Sequence, residues 1–303
     1  MEFKREKVNV SGVALGTWAM GGEDWGPVDD NNSISTVHAA LEHGINFIDT
    51  APFYGFGRAE EIVGKAIKGK RDKYFLATKC GLLWPDGRAQ KNLTEASIVF
   101  ELEHSLRRMG VDYIDLYLTH WPDDKVSLEE TYGTLASLKK QGKIKHVGVC
   151  NVGGELLEKI DKITPVACVQ NEYSFLKPKP GDEVFDYCRE NGIGFLAYGP
   201  LAGGILTGKY DKEPGFSKSD TRSYFYRFYR GDAFAKARAA AEKFKKTAAK
   251  YKTSAAAVAL AWTMEQRDFI VPLAGAKTPQ QVAQNAQALT LKLTHEDISF
   301  LNG

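Results

Sequence analysis

Residues 94–120 read TEASIVFELEHSLRRMGVDYIDLYLTH, and they contain the unit from which the whole chain is built. In Thr94–Met109 the residues Ile98, Leu102, Ser105, Leu106 and Met109 fall on one face of a helical repeat, which predicts an amphipathic helix. After Gly110 the period changes, and Tyr113–His120 is a β-branched and aromatic run of strand length. A second helix is expected over Leu128–Gln141, ending at Gly142, a usual stop signal. Working outward, strands are expected at Val13–Ala19, Asn46–Thr50, Tyr74–Lys79, His146–Cys150, Cys168–Glu172, Gly194–Tyr198 and Phe269–Pro272, separated by helix-like segments. Such alternation implies a parallel sheet covered by helices, an α/β architecture. Eight strands closed on themselves make a (β/α)8 TIM barrel; an open doubly wound sheet is the competing arrangement.

The chain has 303 residues, and α/β barrels use this length for one domain, so residues 1–303 are expected to form a single domain. Forty Lys plus Arg against 38 Asp plus Glu give a net charge of +2, which calls for neither a nucleic acid nor a membrane partner. The N-terminus lacks a secretory signal and no apolar run reaches membrane-span length, so a cytoplasmic location is expected. The four cysteines, Cys80, Cys150, Cys168 and Cys188, are too scattered for a disulfide framework, and no metal-like cluster is expected.

In a barrel, function gathers after the C-terminal ends of the strands. The second strand carries Asp49, with Tyr54 five residues on; the third ends in Lys79 and the fourth in His120. Each has an ordinary reading: a helix cap for the Asp, a packed ring for the Tyr, a solvated Lys, a structural His. Their coincidence on three successive strand ends points instead to proton donation to a carbonyl oxygen. A tyrosine is a weak acid near neutrality, and an adjacent ammonium lowers its pKa. Asp49 would hold Lys79, and His120 would orient the carbonyl. A hydride source is missing from this set, so a reductase needs a cofactor to supply one.

At these residues the chain resembles the aldo-keto reductase superfamily, nearly end to end. The likeness rests on Ala14–Trp18, Asn46–Ala51, Tyr54-Gly55, Ala77–Lys79, Tyr113–Leu116, His120–Pro122, Val147–Asn151, Val169–Asn171, Tyr198–Leu201 and Gly275–Lys277. It is nearest to bacterial general-stress and inositol-operon reductases, which are related to potassium-channel β subunits. The resemblance implies reversible NAD(P)H-dependent reduction of aldehydes or ketones, with Asp49, Tyr54, Lys79 and His120 as the catalytic set. It implies that Asn151 and Gln170 hold the nicotinamide carboxamide and that Tyr198 stacks on the ring, with Thr17, Trp18 and Asp49 nearby. Leu201, Gly203 and Lys209 would approach the pyrophosphate, with Gly199 also on the cofactor side. Gly275, Lys277, Gln281, Gln284 and Asn285 match the family's adenosine-ribose segment, Arg222 resembles a family cofactor contact, and Trp18, Trp84 and Trp121 are expected to wall the pocket of a small carbonyl substrate.

Three departures from the family pattern stand out. Cys150 and Gly199 replace serines, and the adenosine segment offers Lys277 and Gln281 where relatives carry arginines. Arginine gives bidentate phosphate contacts and lysine a point charge. The reading favours NADP(H) and leaves NAD(H) open. Oligomeric state, physiological substrate and the redox activity of Cys80 or Cys150 are not legible.

Other signals are weaker. Residues 203–210, GGILTGKY, nearly spell a P-loop, but Tyr210 stands where Ser or Thr must bind a metal. Residues 55–60 begin like a dinucleotide fingerprint and lack its third glycine. Residues 222–230, RSYFYRFYR, interleave bases with aromatics as an RNA-binding segment does, yet follow the seventh strand, where a lid over the barrel mouth is expected. A channel-type sensor subunit would commonly carry Asn in place of His120, and a barrel hydrolase would need a carboxylate pair or metal ligands.

Overall fold

The computed structural model describes residues 1–303 apart from Glu23, Asp24 and Pro180. Eight parallel strands close into a barrel: β1 Ala14–Gly16, β2 Phe47–Asp49, β3 Phe75–Cys80, β4 Ile114–Thr119, β5 Ile144–Cys150, β6 Val166–Glu172, β7 Gly194–Tyr198 and β8 Ile270–Gly275. Each neighbour in sequence is the neighbour in space, and β8 pairs with β1 through Leu273 opposite Ala14. The open-sheet alternative is thereby excluded.

Helices follow the strands as the repeat predicts. The helix expected from Thr94 runs Glu95–Met109, and Thr94 caps it by accepting from the Ser97 N–H. The next runs Leu128–Lys140 with Ser127 as its cap. Expected and observed strands differ most at the first, which stops at Gly16 short of Ala19, and at the eighth, which runs past Pro272 to Gly275. Both the N–H and the hydroxyl of Thr17 donate to the Asp49 carbonyl at 3.0 Å, and the chain then turns through Trp18–Gly21.

Strand alternation sorts the side chains into two cores. Ala14, Phe47, Ala77, Leu116, Leu118, Cys150, Cys168, Leu196, Val271 and Leu273 fill the barrel interior, and Phe3, Val8 and Val10 join them from the N-terminal segment. That segment forms a small antiparallel hairpin, Glu2–Phe3 with Val8–Asn9. The residues of opposite parity pack outward against the helices. Continuing the inward parity towards the strands' C-terminal ends gives Asp49 after Phe47, Lys79 after Ala77, Gln170 after Cys168 and Tyr198 after Leu196. The packed interior is thus floored by apolar layers and topped by a polar one.

Candidate active site

The polar layer is a connected network. Lys79 is fully buried, and its Nζ donates to both Asp49 carboxylate oxygens (2.8 and 2.9 Å) and to the Thr50 carbonyl (2.8 Å). It also lies 3.3 Å from the Tyr54 hydroxyl. Asp49 accepts a further hydrogen bond from Gln170 Nε2 at 2.8 Å. Two buried charges are tolerable in such a place only when paired and fully hydrogen-bonded, and here they are.

Tyr54 lies beyond the strand, and the loop that carries it is fixed by two glycine backbones in contact. A Cβ on Gly55 would lie 2.3 Å from the Gly21 carbonyl oxygen, and one on Gly21 would lie 2.5 Å from the Gly55 nitrogen. The Tyr54 ring stacks on Trp18 (centroids 5.9 Å apart, planes at 21°) and meets the His120 ring edge-on at 5.9 Å. All four residues expected to be catalytic therefore converge.

Electrostatics differ from the sequence expectation in one respect. Burial pushes the Tyr54 hydroxyl up to about 12, against the opposing pull of Lys79. The ammonium does lower the phenol as anticipated, but desolvation is the larger effect. His120 is held well below its usual range, first by burial and then by the Lys79 charge, so its imidazole is neutral at physiological pH. The Lys79 ammonium is held above its ordinary range by Asp49 and Tyr54 although burial opposes this.

Beside this set, Asn151 takes a left-handed backbone (φ +59°) directly after β5. Its Nδ2 donates to the His120 carbonyl and its Oδ1 accepts from Tyr198 OH, each at 2.9 Å. Each end of this amide keeps one further hydrogen-bonding position, as a carboxamide partner requires. Gly203 (φ +69°) lies against the Tyr226 ring, where a Cβ would come within 2.7 Å, and its carbonyl accepts from Tyr229 OH at 2.8 Å, so the two aromatics hold the 199–209 loop in place. Lys209 Nζ stands near Gly204.

At the far end, Arg222 and Lys277 approach each other: Lys277 is lowered by burial, then by the charges of Arg222 and Lys209. Two buried polar atoms without a partner belong to this region, Trp25 Nε1 and Thr221 Oγ1. Cations in mutual electrostatic range and unpartnered buried polar atoms suit an anionic, polar ligand such as a dinucleotide. Gln281 accepts from the Lys277 N–H at 2.7 Å, and Asn285 Nδ2 donates to the Gly275 carbonyl at 3.5 Å. Gln284 is exposed on the same helix, Pro279–Ala286.

Of the expected pocket residues, Trp18 touches Tyr54, Trp25 and Phe225, while Trp84 packs with Phe53 and Phe56. Trp121 is 36% exposed beneath the Lys91 ammonium, at the outer rim. Sequence reasoning missed Thr50, whose contribution is a backbone carbonyl, and Phe225, which lies between Trp18 and Tyr198. It also missed Gly21, although the Gly21-Gly22 pair after a strand is a turn signal. Cys80, Cys150, Cys168 and Cys188 are all buried, and burial raises all four thiols. Among the described residues no cluster of metal-ligating side chains occurs, and no helix is long and apolar enough to cross a membrane.

Residues 12–303 match the model of the aldo/keto reductase family. The chain is 39% identical to aldo-keto reductase YhdN of Bacillus subtilis, over 97% of this chain and 90% of that one. It is 36% identical to the NADH-specific methylglyoxal reductase of Escherichia coli, over 97% and 94% of the two chains. The structure of glycerol dehydrogenase AKR11B4 from Gluconobacter oxydans superposes with a TM-score of 0.89 at 39% identity, covering 97% of this chain and 91% of that one. With the closed barrel and the polar layer at its mouth, these matches carry one conclusion: the chain belongs to the aldo/keto reductase family.

Proposed function

We propose that the protein reduces small aldehydes or ketones, reversibly, with Tyr54 as the proton donor and NADP(H) as the preferred nicotinamide cofactor, NAD(H) also being accepted. The observation that carries this reading is the Asp49–Lys79–Tyr54 chain of contacts, with Lys79 Nζ 2.8 Å from Asp49 and 3.3 Å from the phenol oxygen. When bound, the dihydronicotinamide supplies hydride to the carbonyl carbon. The Tyr54 hydroxyl donates its proton to the carbonyl oxygen as negative charge develops there, and Lys79 stabilises the phenolate left behind. Asp49 and the Thr50 carbonyl keep the ammonium in place. A neutral His120 donates a ring N–H to the same oxygen. Trp18, Trp84 and Phe225 wall the substrate side and exclude water, while Trp121 serves the outer rim.

Asn151, Gln170 and Tyr198 would hold the nicotinamide end, with Thr17, Trp18 and Asp49 beneath it. Gly199, Leu201, Gly203 and Lys209 would hold the pyrophosphate, and Arg222, Gly275, Lys277, Gln281, Gln284 and Asn285 the adenosine end. The name of the Escherichia coli relative, an NADH-specific enzyme, keeps NAD(H) in the reading, and clustered Lys209, Arg222 and Lys277 favour the 2′-phosphate.

The test is steady-state oxidation of NADPH and NADH against methylglyoxal, glyceraldehyde and aromatic aldehydes. Turnover with several of these is expected; a protein that binds either nucleotide but reduces none of them would sink the assignment.

The pH dependence follows from the direction of two shifts. With the phenol raised to about 12 and the imidazole held low, neither group changes protonation between neutrality and moderately alkaline pH. Single-turnover reduction is therefore expected to be flat between about pH 6.5 and 9, while alcohol oxidation, which needs the phenolate, rises roughly tenfold per unit. A reduction rate that falls across that window, measured by rapid mixing, would show a proton donor of lower pKa than Tyr54.

A further inference from the structure

We propose that Asp220 is a specificity-determining residue at the adenosine end: its carboxylate occupies the guanidinium fork of Arg222 that a 2′-phosphate needs, and so keeps the unphosphorylated dinucleotide competitive. This rests on the nicotinamide-cofactor reading above and extends it to a residue that the family resemblance does not supply.

The geometry is specific. Asp220 Oδ1 accepts from Arg222 Nε at 2.8 Å, and Oδ2 accepts from Nη2 at 2.5 Å, a bidentate pair. Nη1 of the same guanidinium donates to Tyr210 OH at 3.2 Å. The guanidinium lies over the Phe216 ring at 4.2 Å and faces Trp25 at 5.7 Å, so it cannot swing to a second partner without leaving an aromatic slot. Both residues of the pair are largely buried, with side-chain exposures of 12% for Asp220 and 19% for Arg222. Burial by itself would raise the Asp220 carboxyl, but the Arg222 hydrogen bonds outweigh it and hold the group ionised.

The carboxylate is thus paired with Arg222 and also feels the charge of Lys277. Arginine recognises phosphate through the planar fork, and here that fork is already filled by an internal oxyanion. An incoming 2′-phosphate meets a fixed negative charge and must displace it or settle for the Lys277 ammonium, which already donates to the Trp25 carbonyl. A ribose 2′-hydroxyl carries no charge and can donate a hydrogen bond to the same carboxylate. Relative to an open fork, the arrangement therefore weakens NADPH selectively and narrows its advantage over NADH.

Asp220 has a second, purely structural role to be separated from this one: it caps the short helix Thr221–Tyr224 by accepting from the Arg222 N–H at 2.9 Å. The experiment uses Asp220→Asn and Asp220→Ser, which retain a capping oxygen and remove the charge. Dissociation constants for NADPH and NADH are measured by calorimetry or tryptophan fluorescence at one fixed ionic strength. Freeing a charge-assisted fork is expected to tighten NADPH by about tenfold, with NADH unchanged or weakened. In an Arg222→Ala background the same substitution is expected to give no such gain, because the liberated fork is absent. An unchanged NADPH-to-NADH ratio in both Asp220 variants overturns the proposal, as does equal weakening of both nucleotides, which marks a cap alone. Failure of the unaltered protein to bind either nucleotide removes the cofactor reading and this proposal together.

Discussion

Tyr54→Phe is expected to lower kcat for aldehyde reduction by about 10²–10⁴-fold and to leave nucleotide affinity and folding close to those of the parent. One oxygen atom is removed. The ring keeps its stack on Trp18, its edge contact with His120 and the Lys79 ammonium 5.0 Å from its centroid. Lys79 gives up its longest contact, at 3.3 Å, and retains three at 2.8–2.9 Å. Single-turnover kinetics beside a binding isotherm separate the two effects. A variant that turned over within a few-fold of the parent would transfer the donor role to another group, with His120 next in reach.

Lys79→Met is expected to lose activity as completely and, in addition, to lose about 3–5 kcal/mol of stability. The ammonium and the Asp49 carboxylate are 0% and 3% exposed, and removal of the cation leaves the carboxylate with Gln170 Nε2 as its remaining side-chain donor. An unpaired buried carboxylate has a raised pKa. It is relieved of its charge as pH falls, so the deficit of the variant relative to the parent shrinks towards acid pH. Denaturant midpoints measured at two pH values check the sign. Adding Asp49→Asn to Lys79→Met is expected to recover much of the stability and none of the activity, which distinguishes a broken ion pair from a collapsed strand.

The strands were legible where their length allowed a period to show. Gly194–Tyr198 runs as the sequence predicts, and β4 differs by one residue at each end. Two features escaped because they are too short to have a period: the N-terminal hairpin and the Leu82–Leu83/Gln90–Lys91 hairpin, each with two residues per strand. The catalytic candidates were legible because inward parity and a barrel's functional end are both sequence-level rules; their convergence needed only closure of the sheet. The pKa of Tyr54 was not, since its direction depends on whether burial or Lys79 prevails, and burial is a property of the folded mouth. Arg222 came from the family likeness, but nothing in a two-residue spacing reveals that its fork is closed on Asp220.

The backbone contact between Gly21 and Gly55 has a consequence for how this protein can diversify. Two loops that touch main chain to main chain tolerate no added carbon at the seam, so neither can be re-shaped alone without displacing Tyr54. Variation in what the enzyme accepts must then enter elsewhere on the rim. The short hairpin bearing Trp84 and the aromatic strap around Phe225 are free of that seam, and directed changes of substrate range belong there.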